Sequence, residues 1–370
     1  MTESTPTAAP PAAAPPPASR QDAPGAGGSG WASTLGRLSL GRYTGVVVAL
    51  LIVSIYLAIT QPVFLTWDNL MNIVKANTVI FVLALGATFV VISGGIDLST
   101  ASVLTATAMI FGLTLDSGMA LVPALLVTLA FGSAVGFVNG FLIAKAGISF
   151  LVVTLGALSI WASFALVVHD GQTVSVFEAS AFGPIKDFVN NSAGPFPLLL
   201  IFDVILLLVA GGVLRYTSFG RALFATGSNI EAARLNGINI TWVLIGVYAV
   251  AGLAAGLASV VSVGRLTAAS ATADPTLLLT VLAAVLIGGT SFTGGEGGVL
   301  GTVIGVLFLG VVQNGLTLSD VSTFWQGTVS GGILIIAVGL GVLRDRGFSL
   351  RQRRAAKAAS APPPTTSSMA

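Results

Sequence analysis

A polar segment in the middle of the chain, GRALFATGSNIEAARLNGINI, separates two long apolar stretches. Asn229 or Ser228 can cap the first turn of a helix within it. Glu231 would then lie in that turn, where a carboxylate suits the positive end of the helix dipole. Gly237 would end the helix. Because Glu231 and Arg234 are three residues apart, both charges would face the same side. The segment therefore predicts a short, exposed helix carrying one ion pair.

Two interpretations of this segment are open from spacing alone. It could be a polar linker that contains an incidental helix, or a helix that fits a groove on a partner. Short helices of this kind are common, so the pattern taken alone favours the linker.

One carboxylate, Asp203, lies inside the apolar run PLLLIFDVILLLV. Ionisable groups are costly in lipid and mark functional sites, so ion coupling is one interpretation. The apolar stretches offer this carboxylate no clear basic partner, which argues against a proton relay. A structural hydrogen bond to a neighbouring helix is the favoured interpretation.

Neutral polar side chains form a second group of candidates within the apolar runs. Their amide and hydroxyl groups suit a neutral polyol that crosses the membrane, and helix–helix hydrogen bonding is an equally good explanation for any single one. The candidate pathway residues are Asn77, Asn139, Thr154, Gln313 and Asn314.

Two glycine-rich loops, SGGIDLS and IGGTSFTGGEGG, follow apolar runs. Neither contains the G-x-x-x-x-G-K-[ST] pattern of a phosphate-binding loop, and no lysine is near. We therefore expect no nucleotide or other cofactor on this chain. The loops predict tight turns between packed helices, or hinges beside a pathway. The residues concerned are Gly94, Gly95, Asp97, Gly288, Gly289, Gly294 and Gly295.

Other chemistry is poorly represented. The chain has no cysteine and a single histidine, His169, so the sequence predicts neither a metal site nor a catalytic site. The basic run at 351–354 beside the last apolar stretch is typical of a topology signal and of lipid-headgroup contact, not of nucleic-acid binding.

Composition places the chain in a membrane. Of its 370 residues, 54% are hydrophobic and 8% are charged, against about 25% charged in soluble domains. Apolar runs of about 20 residues match the bilayer core, and in lipid such runs must be helical. The fold class expected is an all-α polytopic membrane protein with about ten transmembrane helices. The predicted spans are 43–60, 70–92, 98–115, 119–144, 148–168, 195–214, 241–264, 276–290, 299–316 and 324–343.

The basic residues predict the orientation, because Lys and Arg remain on the cytoplasmic side. Most of the sixteen Lys and Arg residues fall there if both termini are cytoplasmic. The predicted domains are a disordered Pro/Ala-rich tail (1–40), a transmembrane domain (41–343) with a cytoplasmic segment at 218–240, and a basic disordered tail (344–370).

An internal repeat is indicated by two similar stretches. Asp97-Leu-Ser opens an apolar run, and Asn139 follows 42 residues later; Asp274-Pro-Thr opens another, and Asn314 follows 40 residues later. The matched runs are five spans apart, so they would cross the membrane in opposite directions. This predicts an inverted repeat, a common arrangement in transporters.

Several motifs together carry a family resemblance. They are GGIDLS from Gly94, FLVVTLG from Phe150, FGR from Phe219 with the Glu231 to Gly237 stretch, and IGGTSFTGGEGG followed by GTVIGVLFLGVVQNGL. Over roughly 70–343, the chain resembles the permease subunits of bacterial ATP-binding cassette importers for ribose, xylose, galactose and related monosaccharides.

The resemblance implies a multi-pass inner-membrane subunit that is not an enzyme. Expected partners are a cytoplasmic ATPase that binds ATP and Mg²⁺, an extracytoplasmic sugar-binding protein, a second permease chain and the lipid bilayer, without nucleic acid. The ATPase-coupling residues it implies are Arg221, Glu231, Ala232, Ala233, Arg234 and Gly237. Alternatives are a permease for branched-chain amino acids or nucleosides, or an ion-coupled carrier that works alone.

Overall fold

The computed structural model describes residues 40–322, 325, 327–336 and 339. The predicted tails, 1–40 except for its last residue and 344–370, lie outside the described residues, as do parts of the predicted span 324–343. The predicted domain limits therefore stay predictions.

The described chain is built from helices, as the apolar runs predict, with four two-residue strands in the connections. The helices are α1 (Leu40–Thr60), α2 (Trp67–Ile92), α3 (Thr100–Asp116), α4 (Leu121–Ala144), α5 (Phe150–Val167), α6 (Gly183–Asn190), α7 (Leu198–Tyr216), α8 (Ser218–Ser228), α9 (Ile230–Leu235), α10 (Ile240–Leu266), α11 (Pro275–Ile287), α12 (Val299–Leu318) and α13 (Gly327–Ile336). The strands are β1 (Val174–Ser175), β2 (Ser192–Ala193), β3 (Phe196–Pro197) and β4 (Ala268–Ala269).

Ten of these helices correspond to the ten predicted spans. Seven are long and apolar enough to cross a bilayer, and α3, α11 and α13 are shorter apolar helices. The all-α polytopic prediction is confirmed. Helices α6, α8 and α9 were not among the spans because they are short and lie in the polar connections.

Contacts between connections define one end of the bundle, which we name the strand end. There β1 pairs antiparallel with β4, joining the connection after α5 to the connection after α10. The indole Nε1 of Trp67 donates to the Pro195 carbonyl oxygen at 2.9 Å. Gln61 donates to the hydroxyl of Ser319 at 3.3 Å.

The opposite end, which we name the glycine end, holds the two glycine-rich loops. The backbone N–H of Gly295, in the loop between α11 and α12, donates to the carbonyl oxygen of Ile92 at the end of α2. Asn139, near the end of α4, donates to Ser99 in the first loop. Consecutive apolar helices from α1 to α12 therefore run in alternating directions, as the ten-span prediction requires.

Small residues allow helices α4 and α10 to touch. The most extensive helix contact joins α4 to α10, and Gly132, Gly136 and Gly140 recur on α4 at four-residue spacing. A Cβ atom on Gly136 would overlap the carbonyl oxygen of Tyr248, and one on Gly132 would lie 2.5 Å from that of Gly252. Glycine stripes of this kind let membrane helices approach backbone to backbone.

We expect Gly136→Leu to lower the free energy of unfolding by about 1–3 kcal/mol or more, the range typical of overpacking, because the side chain would displace α10. Gly156→Leu on α5 is the matched control, since nothing lies within 4 Å of a Cβ there. Thermal unfolding in detergent, followed by size exclusion, measures both. Equal melting temperatures for the two variants would contradict this account of the α4–α10 contact.

Candidate functional site

The polar segment forms two short helices at the glycine end. Helix α8 is capped by Thr217, whose hydroxyl accepts from the N–H of Gly220 at 3.1 Å. Helix α9 is capped by Asn229, whose side-chain oxygen accepts from the N–H of Ala232 at 2.9 Å. Helix α9 and its predicted cap are confirmed, whereas α8 is an addition that the charge pattern did not indicate.

Gly237 ends α9 as its sequence position suggested. Its φ is 79°, a left-handed conformation that favours glycine, and its N–H donates to the carbonyl oxygen of Arg234 at 3.0 Å. The N–H of Ile238 donates to the carbonyl oxygen of Ala233, so the two bonds close a Schellman-type cap. The length of the exposed helix is therefore fixed at both ends.

The exposed surface of α9 combines charge with two large apolar side chains, Ile230 and Leu235. Arg234 and Glu231 form an ion pair at 3.4 Å, with side chains 65% and 71% exposed. Ala233 is buried and anchors the helix, and Ala232 is exposed. Leu235 is 88% exposed. Leu235 was missed in the sequence, although a leucine at the last position of a short polar helix was the available signal.

Arg221 lies on α8 and faces solvent. Its Nη1 donates to the carbonyl oxygen of Tyr216 at 3.4 Å. It thus places a positive charge at the carboxyl end of α7, where the helix dipole favours it. Arg221 therefore contacts the end of α7 while its side chain stays exposed.

The two glycine-rich loops meet each other and the end of α8. We name this cluster, made of Ile92, Gly94, Gly227, Gly294 and Gly295, the glycine junction. The Gly295 N–H donates to Ile92 O at 2.8 Å. A Cβ on Gly227 would overlap Ile92 O, and a Cβ on Gly294 would lie 2.7 Å from the nitrogen of Gly94. The structure therefore brings the predicted loop glycines together, around the last turn of a helix in the polar segment.

The other loop glycines support the same arrangement. A Cβ on Gly95 would lie 2.8 Å from the hydroxyl oxygen of Tyr248, and one on Gly288 would overlap the carbonyl of Gly301. Gly289 adopts a φ of 82°. Glycine is required at these points by close packing and by backbone conformation, which is the tight-turn interpretation.

Asp97 organises the first loop and lies two residues before Ser99, the N-cap residue of α3. Its Oδ1 accepts from the N–H of Ser99 at 2.8 Å and from the Ser99 hydroxyl at 2.5 Å. Burial raises the pKa of the Asp97 carboxyl, and the hydrogen bonds from Ser99 oppose that shift. Asn139 donates to the same Ser99 hydroxyl at 3.2 Å, which ties α4 to the loop.

Asp274 accepts the same pair of hydrogen bonds at the other end of the bundle, where it is itself the N-cap residue of α11. Its Oδ1 accepts from the N–H of Thr276 at 2.8 Å and from the Thr276 hydroxyl at 2.7 Å. Asp97 opens α3 at the glycine end, and Asp274 opens α11 at the strand end. The same hydrogen-bond pattern thus recurs at opposite ends of the bundle, and the inverted repeat stays a prediction.

The five candidate pathway residues do not form a single cluster in this chain. Asn139 lies at the glycine end. Asn314 lies at the strand end, where it exchanges two side-chain hydrogen bonds with Asn69 at 2.9 and 3.1 Å. Buried Thr154 donates to the Phe150 carbonyl oxygen within α5.

The remaining two pathway candidates lie nearer to Asn314, since Gln313 is its neighbour on α12 and Asn77 packs against the same helix. Asn77 is buried on α2 against Gly310 and donates to the Ile73 carbonyl oxygen at 2.8 Å. Gln313 is half-buried on α12. Helix–helix and intrahelical bonds thus account for Asn139, Asn314, Thr154 and Asn77, and a shared pathway role stays a prediction.

Asp203 makes the interhelical hydrogen bond that the sequence favoured. Its Oδ2 accepts from the hydroxyl of Thr78 on α2 at 2.9 Å. The carboxyl group is 8% exposed, and it lines a cavity of about 140 Å³ with Asn77, Phe81 and Val306.

These features define a multi-pass helical membrane protein with a structured polar element at one end. A family model described as "Branched-chain amino acid transport system / permease component" matches residues 69–338, and the chain belongs to that family. It is therefore a permease of the inner membrane, with a role in transport. No solved structure matches the chain.

Three relatives illustrate the likeness. The probable ABC transporter permease protein y4mJ of Sinorhizobium fredii is 36% identical, over 84% of this chain and 92% of its own length. The ribose import permease protein RbsC of Escherichia coli K12 is 35% identical, over 79% and 91%. The D-allose transport system permease protein AlsC of the same strain is 32% identical, over 81% and 91%.

We expect Asp97→Ala to cost about 1–3 kcal/mol of stability, because two buried donors of Ser99 lose their acceptor. Asp274→Ala is the matched control. That cap is exposed, so water replaces the acceptor and the loss falls toward the ~0.5 kcal/mol end of the range for caps. Thermal unfolding of both variants in one detergent compares them; a larger loss for Asp274→Ala would refute the assignment.

Proposed function

We propose that this chain forms the translocation path for a monosaccharide and couples it to a separate ATPase, as one subunit of an ATP-binding cassette importer. The observation that supports the proposal most is the exposed α9 surface joined through α8 to the glycine junction. The names of the relatives RbsC and AlsC refer to ribose and D-allose, which favours a sugar of that size class.

The surface of α9 is suited to a groove on a partner. Leu235, at 88% exposed, is the most exposed apolar side chain of α9, and large apolar side chains in pockets contribute most of the energy of many interfaces. Glu231 and Arg234 flank it and would set its orientation. We infer that the ATPase holds this surface, and that ATP and Mg²⁺ bind to that partner.

A rigid path leads from α9 into the bundle. Helix α8 is joined to α9 through the cap residue Asn229. Gly227, in the last turn of α8, packs against the Ile92 carbonyl oxygen and the Gly295 nitrogen. Because the packing is backbone against backbone, little slack is available, and packed interfaces transmit displacement. A shift of α9 would therefore move the end of α2 and the loop before α12 together.

The distribution of charge supports a cytoplasmic glycine end. Lys145, Arg215, Arg221 and Arg234 lie at or near the glycine end. The strand end carries an excess of acids, namely Asp68, Asp116, Asp170, Glu178, Asp187, Asp274 and Asp320, against Lys75, Lys186 and Arg265. Since basic residues remain inside, α9 would face the ATPase, and the strand end would face an extracytoplasmic sugar-binding protein. A second copy of the chain would complete the path.

The coupling role predicts the behaviour of two charge variants. Glu231→Arg breaks the ion pair of α9 and reverses one charge, whereas Glu231→Arg with Arg234→Glu restores the pair in swapped order. If a partner reads the order of the charges, both variants should lose about tenfold or more in uptake, because misplaced charges at an interface cost several kcal/mol. The assay is uptake of labelled ribose in proteoliposomes containing the ATPase and binding protein.

The same assay separates the alternatives. Wild-type uptake should need ATP and should fall with excess unlabelled monosaccharide but not with leucine. Full recovery in the charge-swapped double variant would mean that α9 needs only its internal ion pair, and would refute docking. Competition by leucine would favour the amino-acid permease, and uptake driven by an ion gradient without ATP would favour a carrier.

The orientation is testable because the chain has no cysteine. A membrane-impermeant maleimide should label Glu178→Cys, in the strand-end connection, in intact cells. It should label Leu235→Cys only after permeabilisation. Both side chains are exposed, so accessibility within the fold is matched. Labelling of Leu235→Cys in intact cells would place α9 outside and end the coupling proposal.

A further inference from the structure

The Asp203 carboxyl group lies in an apolar helix at a contact between helices. Helix α7 reads LLLIFDVILLLVAGGVLRY, and Asp203 is its one acidic residue. The carboxyl group faces α2 and α12, across the cavity lined by Asn77, Phe81 and Val306. An unneutralised carboxylate in such a place is costly, so something must compensate the charge.

Salt bridging does not supply this compensation within the described residues. The Asp203 carboxylate has no Lys, Arg or His nitrogen within 4.0 Å there. The guanidinium of Arg265 instead donates to the carbonyl oxygen of Ala76 on α2. Charged residues on the elements packed against α7 are, on α2, Asp68 and Lys75; on α6, Lys186 and Asp187; on α8, Arg221; and at the far end of α7, Arg215. Helix α12 carries no charged residue.

One carboxylate oxygen is left without a partner. The Oδ1 atom of Asp203 is buried and accepts no hydrogen bond from the described residues. The residue as a whole is 8% exposed. The other oxygen, Oδ2, accepts from Thr78 at 2.9 Å, and the Thr78 hydroxyl also lies 3.2 Å from the Val74 carbonyl oxygen. A hydroxyl has one hydrogen, so it cannot donate fully to both acceptors.

One added proton resolves this arrangement. If Oδ2 carries the proton, it donates to the Thr78 oxygen, and the Thr78 hydrogen is then free for the Val74 carbonyl. The charge disappears, and the remaining carbonyl oxygen Oδ1 is a weaker acceptor that costs less to leave unpaired. The cavity offers too few ligands for a metal ion, because apart from Asp203 its walls present one polar side chain, Asn77, among apolar ones.

We propose that Asp203 is an exchangeable proton-binding site between α2, α7 and α12. A hydronium ion reaching the cavity would transfer one proton to the carboxylate and leave as water; the reverse step releases it. Because α2 ends at Ile92 in the glycine junction, displacement of α2 would alter the Thr78–Asp203 contact and thereby the proton affinity. This last step rests on the proposed coupling function, whereas proton binding itself does not.

The test of proton binding is infrared difference spectroscopy of the purified full chain in lipid nanodiscs at neutral pH. The wild type should show the carbonyl stretch of a protonated carboxylic acid, and Asp203→Asn should lose it. Asp187→Asn, at an exposed aspartate of α6, is the matched control and should keep it. Thr78→Val should retain the band and shift it to higher frequency, because the protonated Oδ2 loses the Thr78 oxygen as its hydrogen-bond acceptor.

Persistence of the band in Asp203→Asn, its absence from the wild type, or an unshifted band in Thr78→Val would each overturn the proposal. The link to transport is measured separately, as the pH dependence of ATP-driven uptake. Asp203→Asn should flatten that profile relative to Asp187→Asn. A normal acid band together with an unchanged profile would retain the proton site and refute its coupling to α2.

Discussion

The backbone hydrogen bond from Gly295 to Ile92 is the constraint on which the functional arrangement depends. It joins the end of α2 to the loop before α12, and both sides of the bond are pressed against Gly227 at the last turn of α8. Any side chain at Gly227 would push these elements apart. Three segments far apart in sequence thus share one small volume and are joined there by backbone contacts.

The same physical solution recurs deeper in the bundle. Lipid offers helices no hydrophobic reason to associate, so close backbone approach and interhelical hydrogen bonds must hold them. The Gly132, Gly136 and Gly140 stripe brings α4 against α10, and the Asn69–Asn314 pair joins α2 to α12. The glycine junction extends this packing mode from the core of the bundle to the water-facing end. That continuity is why the polar segment can be rigid with respect to the spans.

The hydrogen bonds of Asp97 and Asp274 show how one local motif serves two environments. Both carboxylates accept from a backbone N–H and a hydroxyl two residues ahead, yet the first is buried beside Asn139 and the second faces solvent. Their placement at opposite ends of the bundle follows from the opposite directions of α3 and α11. Two similar short sequences therefore give a buried turn at one end and an exposed helix cap at the other.

The sequence by itself determined the elements whose causes are local. Apolar run length predicted the spans from α1 to α12 to within a few residues, because the bilayer thickness sets the length of a span. Residue type and spacing predicted the Asn229 cap and the Gly237 stop of α9, because capping depends on neighbouring residues. Family motifs included Gly94 and Gly294, without indicating that their two loops touch.

Tertiary structure alone decided which polar groups meet. Asn139, Asn314 and Asn77 were equivalent in the sequence, as amides in apolar runs. The rotation of each helix gives them different partners, and the periodicity of α12 could not indicate that Asn314 pairs with Asn69. The unpaired Oδ1 of Asp203 and the exposure of Leu235 follow from the same non-local packing. The sequence determines which residues each helix contains, whereas the packing of all the helices determines which neighbour each helix face contacts.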